Sequence, residues 1–256
     1  MNVVFSSAIS HIKQSISRSM FKFCIFINPI MSGFLLGMIY RNKSKEEFIL
    51  YAFLGAGMGA FWSSICYSSA SDIEREKWMG TLPIIFVSPA GFKKIILGKI
   101  LGNTFLGIVT LILNISTVYF LFKISIKFYS LLYFVIVLFL TLLSMVSIAF
   151  LICALFTLSR KIRLMMNFIE FPVITLTGLF FPIEILPISI RKISYLISIT
   201  WGMKGFRVAI YGGNLEQMMS IIFIILFLII IYSVLGIFLF KKIEKLCIIN
   251  ATLEVF

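Results

Sequence analysis

The sequence predicts an all-α integral membrane protein, and three observations carry that expectation. Hydrophobic residues make up 61% of the chain, against roughly 45–50% in soluble domains. Mean hydropathy is +1.09. The apolar residues fall into runs of about 20, the length that carries an α-helix across a bilayer. A chain of 256 residues holds several such runs and their connections as a single transmembrane domain, 1–256, with no room for a large water-soluble unit.

Six spans are predicted, at 21–40, 48–70, 95–122, 130–157, 164–181 and 218–240. Ahead of them, within 1–20, Phe5, Ile9, Ile12, Ile16 and Met20 recur at steps of three and four. Ser6, Ser10, Lys13, Gln14 and Ser17 take the other side, the pattern of an amphipathic helix lying at the lipid headgroups. A frayed terminus is the alternative. Polar residues before the first long apolar run are unlike a cleaved signal, so this segment is expected to stay attached. Between spans five and six, 182–213 carries Pro182, Pro187, Arg191, Lys192, Trp201, Lys204 and Arg207, with apolar stretches too short to cross. It reads either as a re-entrant or interfacial hairpin on the outer side or as a plain amphipathic loop. Gly33/Gly37, Gly55/Gly59 and Gly98/Gly102 are small-xxx-small pairs, expected to seat helices within the bundle or at a dimer contact.

The formal charge of +13 is spread in small groups at the borders of apolar runs and forms no stripe, which argues against nucleic acid. Fourteen of the 23 Lys and Arg residues fall in the N-terminal segment, the loops at 71–99 and 160–163 and the tail, and nine on the opposite face. The positive-inside rule then places both termini in the cytoplasm. Cys24, Cys66, Cys153 and Cys247 lack paired spacing, so neither a disulfide nor a metal site is expected. His11 is the only histidine, no H-E-x-x-H or G-x-S-x-G is present, and Gly98-Lys99 is followed by Ile100 rather than completing a phosphate loop. No enzymatic activity, cofactor site or nucleotide site is expected on this chain.

The loop at 71–94 is the most informative stretch. A charged extension of span two, containing Glu74 and Arg75, breaks at Gly80, and the chain restarts with Thr81 as the expected N-cap. A short helix, Leu82 to Val87, then ends at Ser88-Pro89, read as a second cap with proline at the next helix's first position. Leu82, Ile84, Ile85 and Phe86 are strongly apolar where the loop meets water. They need cover, either in the headgroup layer or in a groove of another protein.

The stretch EREKWMGTLPIIFVSP (74–89), Gly98-Lys99 and FFPIEILPISIRKISYLISITWGMKGFR (180–207) resemble permease subunits of type-2 ATP-binding-cassette (ABC-2 type) exporters. Topology, length and the N-terminal helix are similar too, and Pro83 and Trp78 stand where that family varies. The resemblance implies a separate ATPase subunit carrying ATP and Mg, a second copy of the permease or a similar chain, and an ATP-driven export path. Glu74, Arg75, Gly80, Thr81, Leu82, Ile84, Ile85, Phe86, Ser88 and Pro89 would then form the element that docks on the ATPase, with Gly80 and Pro89 as its corners. The charged residues are otherwise read as a solvated helix end.

Glu170 is the acidic residue well inside a span, flanked by Asn167 and Pro172. It faces a watery path or pairs with Arg160 or Arg163. Leu54, Met58, Phe61 and Trp62, at helical spacing, line an apolar cargo path or simply pack. Two other classes compete: an ion-coupled carrier or channel using Glu170, Asn28, Asn103 and Asn114, and an immunity or sensing protein that binds a peptide at the outer hairpin.

Overall fold

A computed structural model describes residues 2–123, 128–158 and 162–250. The described residues form helices and no strand: α1 Val3–Ile16, α2 at 19–40, α3 at 45–78, α4 Leu82–Val87, α5 Phe92–Phe122, α6 Leu131–Leu158, α7 Ile162–Leu176, α8 Ile188–Ser194, α9 Ser198–Tyr211 and α10 Leu215–Asn250. Five apolar stretches are long enough to cross a bilayer: Phe23–Tyr40, Lys45–Cys66, Phe92–Phe122, Leu131–Thr157 and Leu215–Lys242. The run expected to cross at 164–181 is shorter than that. α7 has 15 residues, about 22 Å at 1.5 Å per residue, against about 30 Å of hydrocarbon. It stops because Gly178 turns to φ +74° and Pro182 follows.

The core is built around α3. Its first turns, Phe48–Gly55, are π-helical, and all eight residues there are buried. A helix covered on every side must be apolar all round, as FILYAFLG is. α3 packs against α2, α5, α6 and α7, and Ser44 caps its start by accepting the Glu47 amide at 3.2 Å. α6 and α10 run parallel, from Tyr133, whose hydroxyl donates to the Met218 carbonyl, to Phe150 against Gly236. α8 and α9 fold the segment 182–213 into a helical hairpin whose second arm packs on α6 and α10. Ser198 donates to Ser144 there at 3.0 Å.

All three glycine pairs make contacts within the chain. Gly33 and Gly37 seat α2 on Asn114, Val118 and Phe122 of α5; Gly55 and Gly59 admit Leu179 and Phe180; Gly98 and Gly102 admit α1. A Cβ at Gly98 would lie 2.5 Å from the Val4 carbonyl oxygen and 2.6 Å from the Ser7 Cβ. Gly98→Ala is expected to push α1 off α5 and to cost about 1–3 kcal/mol by overpacking. Thermal melting of the detergent-solubilised protein, with faster proteolysis within α1, measures it.

α1 departs from a two-sided amphipathic helix. Phe5, Ile9 and Ile16 are exposed as a lipid-facing stripe requires, and Lys13, Gln14 and Ser17 are exposed on another side. A third face, carrying the small residues Val4, Ser7 and Ala8 with His11 and Ser15, packs against α5. Ser7 donates to the Ile95 carbonyl at 3.0 Å. The helix is thereby fixed to the bundle as well as suited to the interface.

Candidate functional site

At the end of the bundle where α3 hands over to α5, the chain makes a knob. Gly80 at φ +66° and Gly91 at φ +78° bracket α4; glycine adopts this left-handed backbone without the Cβ clash other residues suffer. Pro89 is not the first residue of the next helix, as the Ser-Pro pair suggested. It lies in a turn closed by the Gly91 amide donating to the Ser88 carbonyl at 3.0 Å, and α5 starts only at Phe92. Thr81 stands at the N-cap position, but its hydroxyl makes no cap bond; it donates instead to the Glu76 carboxylate.

The outer surface of the knob is apolar. Trp78 is 90% exposed, Val87 82%, Ile84 66% and Met79 62%. Ile85 turns inward and packs against the core. Leu82 and Phe86 lie on the same helix, with side chains outside the described set. Trp78, Met79 and Val87 were not singled out from sequence, although their side chains dominate the exposed surface. The signal was present: Trp78 and Met79 are apolar residues at the end of a charged helical turn.

Beneath the knob lies a polar brace that the sequence reading missed. Asp72 and Glu76 sit one helical step apart on α3, and Asn103 and Lys99 one step apart on the antiparallel α5, so the two pairs meet in register. Lys99 Nζ donates to Glu76 Oε1 at 2.5 Å, and Asn103 Nδ2 donates to Asp72 Oδ2 at 3.4 Å. α1 joins from the third side. His11 Nε2 bonds the Asn103 side-chain oxygen and lies 3.2 Å from Asp72 Oδ2 and 3.2 Å from Ser15 Oγ. Arg75 Nη2 donates to Gln14 Oε1 at 2.7 Å and reaches Glu76 Oε1 at 3.4 Å. Glu74 is half-buried and engaged with the surrounding protein.

The two carboxylates are tuned in opposite directions. Burial raises the Asp72 carboxyl, and the charges of His11, Lys99 and Arg18 with the Asn103 bond only partly oppose it, so it stands above the usual aspartate value. Burial also raises Glu76, but bonds from Lys99 and Thr81 and the charges of Lys99 and Arg18 outweigh it, holding Glu76 below the usual glutamate value. Asp72, 3% exposed, is thereby shifted towards its neutral form. Glu76, 8% exposed, is the anion that fixes Lys99, Thr81 and hence the start of α4.

The residues proposed from sequence for a cargo path separate. Leu54, Met58, Phe61 and Trp62 are all buried in the core. They are packing residues of α3, whose stretch 48–62 is covered by the neighbouring helices. On α7 Asn167 is exposed, while Glu170 is buried and engaged with its surroundings. Arg160 and the Arg163 side chain, its suggested partners, lie outside the described residues. Asn28, Asn103, Asn114 and Glu170 do not converge. Asn28 is exposed, Asn103 belongs to the brace, and Asn114 ties α5 to the Pro29 carbonyl of α2 at 2.8 Å. No group of three or more metal-ligating side chains occurs among the described residues. The cleft at the hairpin, lined by Tyr51, Glu184, Lys204 and Arg207 among others, encloses about 40 Å³, room for on the order of one or two waters.

Membrane-length helices packed around the largely buried first half of α3, with α1 clamped to α5 and tied to α3 by Gln14–Arg75, define a multi-pass membrane protein. The sequence profile of the ABC-2 type transporter family matches residues 4–211. The chain belongs to that family, and is a permease component of an ABC-type transporter. The match runs from α1 through α9 and ends before α10. No curated protein matches the chain.

Proposed function

We propose that this chain is the membrane-spanning subunit of an ATP-driven exporter, and that α4 with Trp78 and Met79 seats in a groove of a separate ABC ATPase carrying ATP and Mg. The observation that carries this reading is an apolar knob, bare on its outer side and braced on its inner side by Glu76, Lys99, Thr81 and Gln14–Arg75. An exposed patch of this kind needs a partner, and helix-in-groove docking is the recognition mode that buries one. The brace answers the mechanical requirement. A displacement delivered to α4 reaches α3 and α5 only if the knob does not swivel, and the ion pair and glycine corners hold it. In this reading both termini and the knob are cytoplasmic, the membrane is the bacterial cytoplasmic membrane, and a second permease copy or a similar chain completes the path.

An ion-coupled carrier has no use for such a knob, and of the polar groups suggested for its coupling site Asn28 is exposed, Asn103 belongs to the brace and Asn114 ties α5 to α2. The decisive measurement is transport in proteoliposomes holding the permease and its candidate ATPase. Uptake that requires ATP and the ATPase supports the exporter; uptake driven by an ion gradient without either removes it. In the same assay Glu170→Gln is expected to lower ATP-driven transport several-fold while leaving assembly intact, because a carboxylate buried in an apolar helix is costly to keep. Equal transport by both forms returns Glu170 to a packing role.

A further inference from the structure

At the end of the bundle opposite α4, the last turns of α2 and α5 enclose a groove of about 540 Å³. Its floor includes Met38, Leu121 and Phe122, and its rim carries Arg41, Lys43 and Lys45. The buried Phe48 closes its inner side. All three cations are exposed, and among the described residues no acidic one lines the groove. The acid next along the chain turns away: Glu46 pairs with Arg207 at 3.3 Å. The groove opens where the exposed apolar faces of α2 and α5, including Leu35, Ile39 and Phe120, reach the polar loop, which is the border between hydrocarbon and headgroups.

We propose that this groove holds one anionic phospholipid of the leaflet on that side, its phosphate among Arg41, Lys43 and Lys45 and its acyl chains on Met38, Leu121 and Phe122. Charge selects the occupant. A zwitterionic lipid brings its own cation to a rim that already has three and no acid to balance them, whereas an anionic headgroup neutralises the rim. Apolar contact selects a lipid over free phosphate, because the floor lies on the hydrocarbon side and gains nothing from a small ion. The volume lies within the range of ordinary ligand sites. The inference does not depend on export, on the cargo or on the ATPase.

The test is native mass spectrometry of the full chain, delipidated in detergent and titrated with phosphatidylglycerol or phosphatidylcholine. One tightly retained phosphatidylglycerol per chain, with much weaker phosphatidylcholine, is expected. Replacing Arg41, Lys43 and Lys45 together by Gln is expected to weaken phosphatidylglycerol roughly a hundredfold, at on the order of fivefold per cation. Arg191→Gln with Lys192→Gln, basic residues elsewhere at the same end, leaves binding unchanged. Leu121→Trp, which fills the floor and keeps every charge, is expected to weaken binding too, and decides the question if the triple variant does not fold. Equal retention of the two lipids, or full retention by a folded triple variant or by Leu121→Trp, overturns the proposal. So does displacement of phosphatidylglycerol by millimolar inorganic phosphate, which makes the rim a free-anion site.

Discussion

Replacing Ile84 and Val87 together by Asp is expected to abolish co-purification of the permease with its ABC ATPase while the permease still inserts and melts as the wild type does. Both side chains are mostly solvent-exposed, Val87 82% and Ile84 66%, so neither substitution opens a cavity. The inward contacts of the knob, Ile85 on the core and Thr81 on Glu76, are untouched. In a docked complex each apolar side chain contributes about 1.5–3 kcal/mol by leaving water. An aspartate in its place loses that and adds a carboxylate with no partner in an apolar groove. Two such changes correspond to a loss of affinity on the order of a thousandfold or more, enough to empty the complex during purification. Trp78→Ala, removing the largest exposed ring, is the weaker companion. Undiminished co-purification of the double variant, with ATPase stimulation intact, would show that the knob is not the docking element.

The choice of Ile84 and Val87 shows how far sequence reasoning reached. Apolar runs and basic borders located the long helices, since hydropathy over about 20 residues is a property of the segment alone. The bracketed apolar helix was legible for the same reason, being greasy where its flanks are charged. Which of its faces looks outward was not legible. In six residues the helix makes fewer than two turns, and its orientation is set by the Thr81–Glu76 bond and by Ile85, both tertiary contacts. Pro89 misled because Ser-Pro is a frequent helix start, and here the chain makes a turn first and lets Gly91 set the angle. Leu54, Met58, Phe61 and Trp62 share a face in any helix, and a face does not reveal whether a path or a neighbouring helix lies against it. The burial of 48–62 against the neighbouring helices decides that.

The polar brace was partly readable. Asp72/Glu76 and Lys99/Asn103 are i,i+4 pairs flanking one short loop, and an antiparallel hairpin of helices brings such pairs together. His11 carries no such signal, because α1 reaches α5 from far along the chain, and only the glycines at 98 and 102 hint at something packing closely there.

Lys99→Met is expected to be the most damaging single substitution in that brace. Lys99 and Glu76 are in contact at 2.5 Å with side chains only 12% and 11% exposed. Removing one partner of a buried pair leaves an uncompensated charge, and costs about 3–5 kcal/mol. The variant keeps Arg75 at 3.4 Å from Glu76, a longer contact that offsets only part of the loss. Adding Glu76→Gln to Lys99→Met should recover much of the stability, since the uncompensated charge is then gone; a merely steric role for Lys99 would give no recovery. The acid limb supplies an independent check. Glu76 sits below its ordinary value in the folded protein, so its contribution is complete above about pH 4.3, the unfolded value, and is lost as pH falls through the folded one. In Lys99→Met the Lys99 bond and charge that hold Glu76 down are removed, while burial remains and only the Thr81 bond and the Arg18 charge still oppose it. The acid loss should therefore move to higher pH, seen as a melting temperature that starts to fall closer to neutrality. Asp72 behaves oppositely: its raised value makes its contribution complete at low pH and lost as pH rises through the folded value, so it cannot produce that shift. Because α4 hangs on Glu76 through Thr81, the same variant is expected to bind the ATPase through an intact outer surface yet transmit its motion poorly. ATP hydrolysis with little transport in proteoliposomes would separate a loosened brace from a lost docking surface.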